Sequence, residues 1–123
     1  MISRTLITNN PLANAMLPGE VEKIFLENEG PMNILCLARD KIHEGHKLLT
    51  HPLSGSVKPN QSPYKSVIIT KEKGNLDFES LKLIEDSIAV ARGLGKSAAA
   101  GQLCLEDFQL IDLDLIVSGL SAD

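Results

Sequence analysis

Val67 to Thr70 is a β-branched, apolar run, and a few residues beyond it Asp77 opens the clearest helical pattern in the chain. Asp77 suits an N-cap, Glu79 falls in the first turn, and Leu76 is placed to staple onto Leu81. Leu81, Ile84, Ile88 and Ala91 then recur at helical spacing, and Arg92-Gly93 closes the segment. A buried strand handed to an amphipathic helix needs a sheet on which the apolar stripe can lie, so a layered α/β arrangement is predicted.

The same alternation runs upstream. Thr5 to Thr8 reads as a first strand, closed by Asn9-Asn10-Pro11, where the proline disfavours helical dihedrals for Asn10 and a turn is expected. Val21 to Glu27 is a second strand without a clean apolar face. Gly30-Pro31 starts a helix over about Met32 to Glu44, with Ile34, Leu35, Ala38 and Ile42 on one face and Gly45 as a left-handed cap. Lys47 to Thr50 reads as a third short strand, which makes Val67 to Thr70 the fourth. In the tail, Ser97 to Ala100 is helix-compatible, whereas Ile111, Leu113, Leu115 and Val117 alternate in a way that also suits a strand; helix is the expectation adopted. The predicted fold is a small layered α/β domain with a short, mostly parallel sheet of about four strands flanked by helices. Two strand-to-strand connections leave room for a mixed sheet.

At 123 residues the chain has the length of one domain, residues 1–123, since two separate cores would each be marginal. The net charge of -4 and the scarcity of aromatic side chains give no field or stacking platform for nucleic acid. No apolar run approaches the length of a membrane span or a signal peptide. Cys36 and Cys104 sit in apolar contexts without a paired spacing, and both read as buried thiols in a reducing cytoplasm rather than as a redox pair.

All three histidines, His43, His46 and His51, fall within one short run. Clustered imidazoles invite a metal reading, but a helix end, a capping glycine and a strand separate them, so convergence on one ion is not expected and no metal or other cofactor is assigned. His43 suits a helix C-terminus and His46 a solvated turn. His51 instead opens a long stretch, Thr50 to Ser66, rich in proline, glycine and serine. A connection that long in a small domain is either functional or without order, and its prolines together with Leu53, Val57 and Tyr64 favour order. Ser54-Gly55-Ser56 can present backbone N–H groups and hydroxyls to an anion, with Lys58 or Lys65 as countercharge. If the sheet is largely parallel, Asn9-Asn10 and His51 to Ser56 leave strand ends on the same rim. The candidate ligand-binding set is therefore Asn9, Asn10, His51, Ser54, Gly55, Ser56, Lys58 and Lys65, with His51 as the candidate acid/base.

Ile7-Thr8-Asn9-Asn10-Pro11-Leu12, the run Ile42-His43-Glu44-Gly45-His46 through Thr50-His51-Pro52-Leu53-Ser54-Gly55-Ser56 to Asn60, and Pro63-Tyr64-Lys65-Ser66 together resemble the GrdX family. These are small proteins encoded alongside the glycine, sarcosine and betaine reductase systems of anaerobic amino-acid fermenters. The resemblance implies an accessory role beside such a reductase, with Thr8 to Leu12 and His51 to Lys65 as distinctive segments; it brings no assigned activity and no catalytic residues. Two classes of function follow. One is a non-catalytic protein that binds a small anionic metabolite or a reductase subunit through Thr50 to Ser66. The other is a small enzyme acting on a phosphorylated or carboxylated metabolite such as acetyl phosphate.

Overall fold

The computed structural model describes residues 3–53, 62–94 and 105–121 of the chain. Their order is β1 (Arg4–Thr8), α1 (Pro11–Met16), β2 (Glu22–Phe25), α2 (Pro31–His43), β3 (Ser66–Thr70), α3 (Phe78–Leu94) and α4 (Leu105–Ser121). Helix α1 replaces the expected turn. Asn10 is indeed extended, at φ -92 and ψ 112, but it serves there as the N-cap, accepting the Leu12 amide on its side chain, with Pro11 at the first helical position. The restriction that proline imposes on its predecessor is the same in a turn and in a cap.

Helix α2 buries Ile34, Leu35, Ala38 and Ile42 as its spacing predicts. It ends in a Schellman motif, with His46 N–H donating to Lys41 at 3.1 Å and Gly45 N–H to Ile42 at 3.0 Å. Gly45 has φ +112, and a Cβ there would lie 2.3 Å from the Gly74 carbonyl oxygen, so both dihedral and space demand glycine. Helix α3 is capped as expected: Asp77 Oδ2 accepts the Ser80 amide at 3.1 Å and the Ser80 hydroxyl at 2.5 Å. The Ser80 hydroxyl oxygen in turn accepts Leu48 N–H at 2.9 Å, tying the cap to the segment after α2. The first and largest cause holding the Asp77 carboxyl below its ordinary pKa is the Ser80 hydroxyl.

The sheet corrects the prediction in number and direction. It has three strands in the order β2-β1-β3, with β1 parallel to β2 and antiparallel to β3. The helix-linked strands β1 and β2 do run parallel. Helix α2, however, delivers Lys47 to Thr50 to the far side of β3, and the chain then reverses to enter β3 between that segment and β1. Lys47 to Thr50, expected as a strand, pairs with β3 through one bridge, Leu48 with Ile69. Leu49 N–H donates to Ile68 at 2.9 Å and Thr70 N–H to Lys47 at 2.8 Å. The next two ladder donors are diverted: Lys47 N–H goes to the Thr70 hydroxyl at 2.8 Å and Ile68 N–H to the Thr50 hydroxyl at 3.0 Å. Two threonine side chains thus cut the ladder off on both sides of the bridge.

Side chains alternate across the sheet. Ile7, Val67 and Ile69 pack with Leu48 against α2 and α3, through Ile34, Leu35, Ala38, Ile42, Ile84 and Ile88. Leu6 and Ile68 face the other way, toward Ala13 of α1, Leu17, Val21 and Ile116 of α4. Ser97 to Ala100 lie outside the described residues, but from Leu105 the tail is helical, as expected, and Phe108, Asp112 and Ile116, four residues apart, are its buried positions among the described side chains. The helix approaches Thr50 closely at Gly119, where an added Cβ would stand 3.0 Å from the threonine methyl. Among the described residues no helix is long and apolar enough to cross a membrane. Cys36 is a partly buried thiol on α2, packed against the core, and Cys104 lies outside the described residues.

Candidate functional site

Period-two alternation puts Thr8 and Ser66 on the same face as Leu6 and Ile68, and the β1–β3 register places them opposite one another. That face is covered by α4, so the sheet ends in two hydroxyls where Asp112 arrives from the helix. Thr8 Oγ1 and Ser66 Oγ are 2.7 Å apart, and Ser66 Oγ donates to Asp112 Oδ2 at 2.5 Å. The Asn10 backbone N–H donates to Thr8 Oγ1 at 2.9 Å, and its side-chain amide donates to Asp112 Oδ2 at 2.9 Å and to the Gln109 carbonyl at 3.0 Å. One residue earlier, Asn9 donates to the carbonyls of Glu29 at 2.8 Å and Pro63 at 2.9 Å, and its oxygen accepts Lys65 N–H at 2.9 Å. Gln109 completes the cluster by donating to the Tyr64 hydroxyl at 2.9 Å.

Asn9, Asn10, His51 and Lys65 therefore stand at one edge of the sheet, while Ser54, Gly55, Ser56 and Lys58 lie outside the described residues. The reason for the meeting differs from the one the sequence suggested: β3 starts at this edge because it is antiparallel to β1. Both amide protons of Asn9 and of Asn10 are spent on protein acceptors. As they stand, these two side chains fasten β1 to the β2–α2 connection, to the entry of β3 and to α4. The ring Nδ1 of His51 accepts Leu53 N–H at 3.0 Å, a local turn bond.

A cavity of about 20 Å³ opens beside this network, lined by Thr50, His51, Pro52, Lys65, Ser66, Asp112, Leu115 and Ile116. That is room for about one water-sized group. Lys65 Nζ donates to the Pro52 carbonyl at 2.8 Å. Burial pushes the Lys65 amine below its ordinary pKa, opposed by the negative charge of Asp112. Burial likewise pushes the Asp112 carboxyl up, opposed by the bonds from Ser66 and Asn10 and by Lys65. Desolvation thus moves both groups toward their neutral forms.

Asp112 was not among the expected site residues. The signal in the sequence is its position: an acidic residue midway between Phe108 and Ile116 on the buried stripe of a helix. Reading the tail by its strand-like alternation hides that stripe. His46 also departs from expectation. It is buried rather than solvated, and its Nδ1 donates to the Thr70 carbonyl at 2.7 Å, taking the acceptor that a longer Lys47 ladder would have used. His43 is exposed at the end of α2. Among the described residues no group of three or more His, Cys, Asp or Glu side chains is placed to hold a metal ion.

No curated protein and no solved structure matches this chain. A family model does match, described as GrdX-like protein, and it spans residues 5–121. From the first strand to the end of the last helix, the chain belongs to the GrdX-like protein family.

Proposed function

We propose that this protein is a non-catalytic, cytoplasmic accessory component of a glycine- or betaine-type reductase system, a single α/β domain that binds a small anionic metabolite or a reductase subunit through Thr50 to Ser66. Family membership supports the metabolic context, and the observation that carries the binding reading is the mostly buried Lys65 amine on the cavity beside Pro52. Burial disfavours the charge on this amine, and an anion brought beside it restores the charged form and is attracted to it. Ser54, Gly55, Ser56 and Lys58 would contribute further donors from the same loop, and His51 flanks the cavity. Asn9 and Asn10 contribute by holding the loop's return at Pro63 and Lys65 in place.

Calorimetric titration of the full chain with inorganic phosphate, acetate and acetyl phosphate tests the small-ligand form, with Lys65→Ala as the control. Saturable heat for at least one anion that is lost in the variant supports it, and no heat for any of them rejects it. Affinity capture from a cell that makes the reductase tests the subunit form, and absence of reductase subunits from the captured fraction rejects that. His51 on the cavity wall favours one second reading, an enzyme acting on a phosphorylated or carboxylated metabolite with His51 as acid/base. Turnover of acetyl phosphate that persists in His51→Ala would dismiss it.

A further inference from the structure

We propose that Lys65 is a nucleophilic amine that captures small carbonyl compounds, aldehydes above all, as an iminium adduct in the cavity it shares with Asp112. The inference goes beyond anion binding and stands whether or not an anion or a reductase subunit binds.

Lys65 differs from the ion-paired surface lysines by what it touches, and from Lys23, whose amine likewise donates to a backbone carbonyl, that of Leu17 at 2.8 Å, by standing on the cavity. Lys71, Lys73 and Lys82 are more than half exposed and lie 3.5, 3.2 and 3.2 Å from the carboxylates of Glu22, Glu44 and Asp86. The Lys65 side chain is mostly buried, and its amine donates to a neutral acceptor, the Pro52 carbonyl. No carboxylate lies within ion-pair distance of it among the described residues. A lysine that is desolvated without a direct counter-ion is the kind whose free amine is populated and nucleophilic near neutrality. The direction of its pKa shift agrees.

The cavity supplies the second requirement, an acid/base group beside the amine. Asp112 is about nine-tenths buried, and its Oδ2 is fixed by Ser66 and Asn10. Asp112 lines the same cavity as Lys65. Room for about one water-sized group fits the carbonyl end of a small aldehyde.

In the reaction the free amine adds its lone pair to the carbonyl carbon, the C–O π bond opens, and a proton passes from the nitrogen to the oxygen to give a neutral carbinolamine. The hydroxyl takes a second proton and leaves as water while the nitrogen lone pair closes the C=N bond. From the ammonium the balance is one lysine and one carbonyl compound giving one iminium and one water, with no oxidant or reductant consumed. Asp112, on the same cavity but beyond ion-pair distance of the amine, can exchange these protons with it through one intervening water and return one to the departing hydroxyl. The titratable groups on the cavity with Lys65 are Asp112, from α4, and His51.

The test is reductive methylation of the full chain with limiting formaldehyde and excess cyanoborohydride, followed by peptide mapping and read across pH. Lys65 should be labelled severalfold faster at neutral pH than Lys71, Lys73 and Lys82 in the same molecules. A Lys65 rate equal to or below theirs overturns the proposal, and this comparison needs no variant to fold. Asp112→Asn keeps an oxygen acceptor for Ser66 and Asn10 but holds no transferable proton. It should move the Lys65 profile to lower pH, because a charge favouring the ammonium is gone, and lower its plateau severalfold, with the surface lysines unchanged. A plateau equal to that of the wild type overturns the part given to Asp112.

Discussion

The two faces of the β1–β3 pair are built on the same backbone, yet they are held by different forces. Toward α2 and α3 the sheet presents Ile7, Val67 and Ile69 to an apolar layer. Toward α1 and α4 it presents Leu6 and Ile68, but at its end the apolar packing gives way to Thr8, Ser66, Asn10 and Asp112, all buried and bonded to one another. The first face depends on how well volume is filled, and changes there should be indifferent to pH. The second depends on every donor finding its acceptor, and its ionisable member couples the docking of α4 to protons.

This contrast is open to measurement by denaturant unfolding. The largest effect is expected on the apolar face: Ile69→Ala should cost about 3 kcal/mol, by the same amount at pH 5 and pH 8. A loss that differed markedly between the two conditions would blur the distinction between the faces. Next comes Asp112→Ala, which strips Ser66 and Asn10 of their shared acceptor and should cost about 2 kcal/mol. A loss under ~0.5 kcal/mol would mean that the network relaxes or rehydrates without penalty. Thr50→Val, which removes the hydroxyl accepting Ile68 N–H, should cost about 1 kcal/mol, with amide exchange at Ile68 accelerated as the specific sign.

The subtlest effect is in the pH dependence. Because burial raises the folded-state pKa of Asp112, its contribution to stability is fully present below the ordinary value of 3.8 and is lost as pH rises through the raised value. Glu44 and Asp77 are shifted down, so they act in the opposite sense, Lys65 is shifted down as well, and the total slope of the wild type mixes the four. Subtraction removes Glu44 and Asp77 and leaves Asp112 with its coupling to Lys65: the stability of Asp112→Asn relative to wild type should grow as pH rises from 4 toward 7. A difference that stays flat over that range would show that the carboxylate is no harder to ionise in the fold than in the unfolded chain.

The apolar face was legible in the sequence. Its helices are marked by the stripes Ile34, Leu35, Ala38, Ile42 and Leu81, Ile84, Ile88, Ala91, and their ends by Pro31, Gly45 and Asp77, each with a local reason for its place. Strand direction was less legible, because a loop between two strand-like segments reads the same whichever neighbour the second one joins. Helix α1 was hidden because its signature, Asn10 followed by Pro11, is shared by turns. On the polar face the residues of the rim could be named from composition, but not what occupies them. The amides of Asn9 and Asn10 are consumed by partners as distant in sequence as Pro63 and Asp112, and no local pattern encodes that. Asp112 itself becomes conspicuous once the tail is read at helical spacing.

The hydroxyls of Thr50 and Thr70 also bear on which edge of the sheet is open to pairing. By capturing the backbone donors around the Leu48–Ile69 bridge, they leave β3 no free ladder on that flank for a neighbouring chain to extend. Among the described residues the other border of the sheet is β2, a four-residue strand carrying Glu22 and Lys23, short and charged as protected edges are. Two side chains thus decide which backbone donors beside the bridge are left to pair.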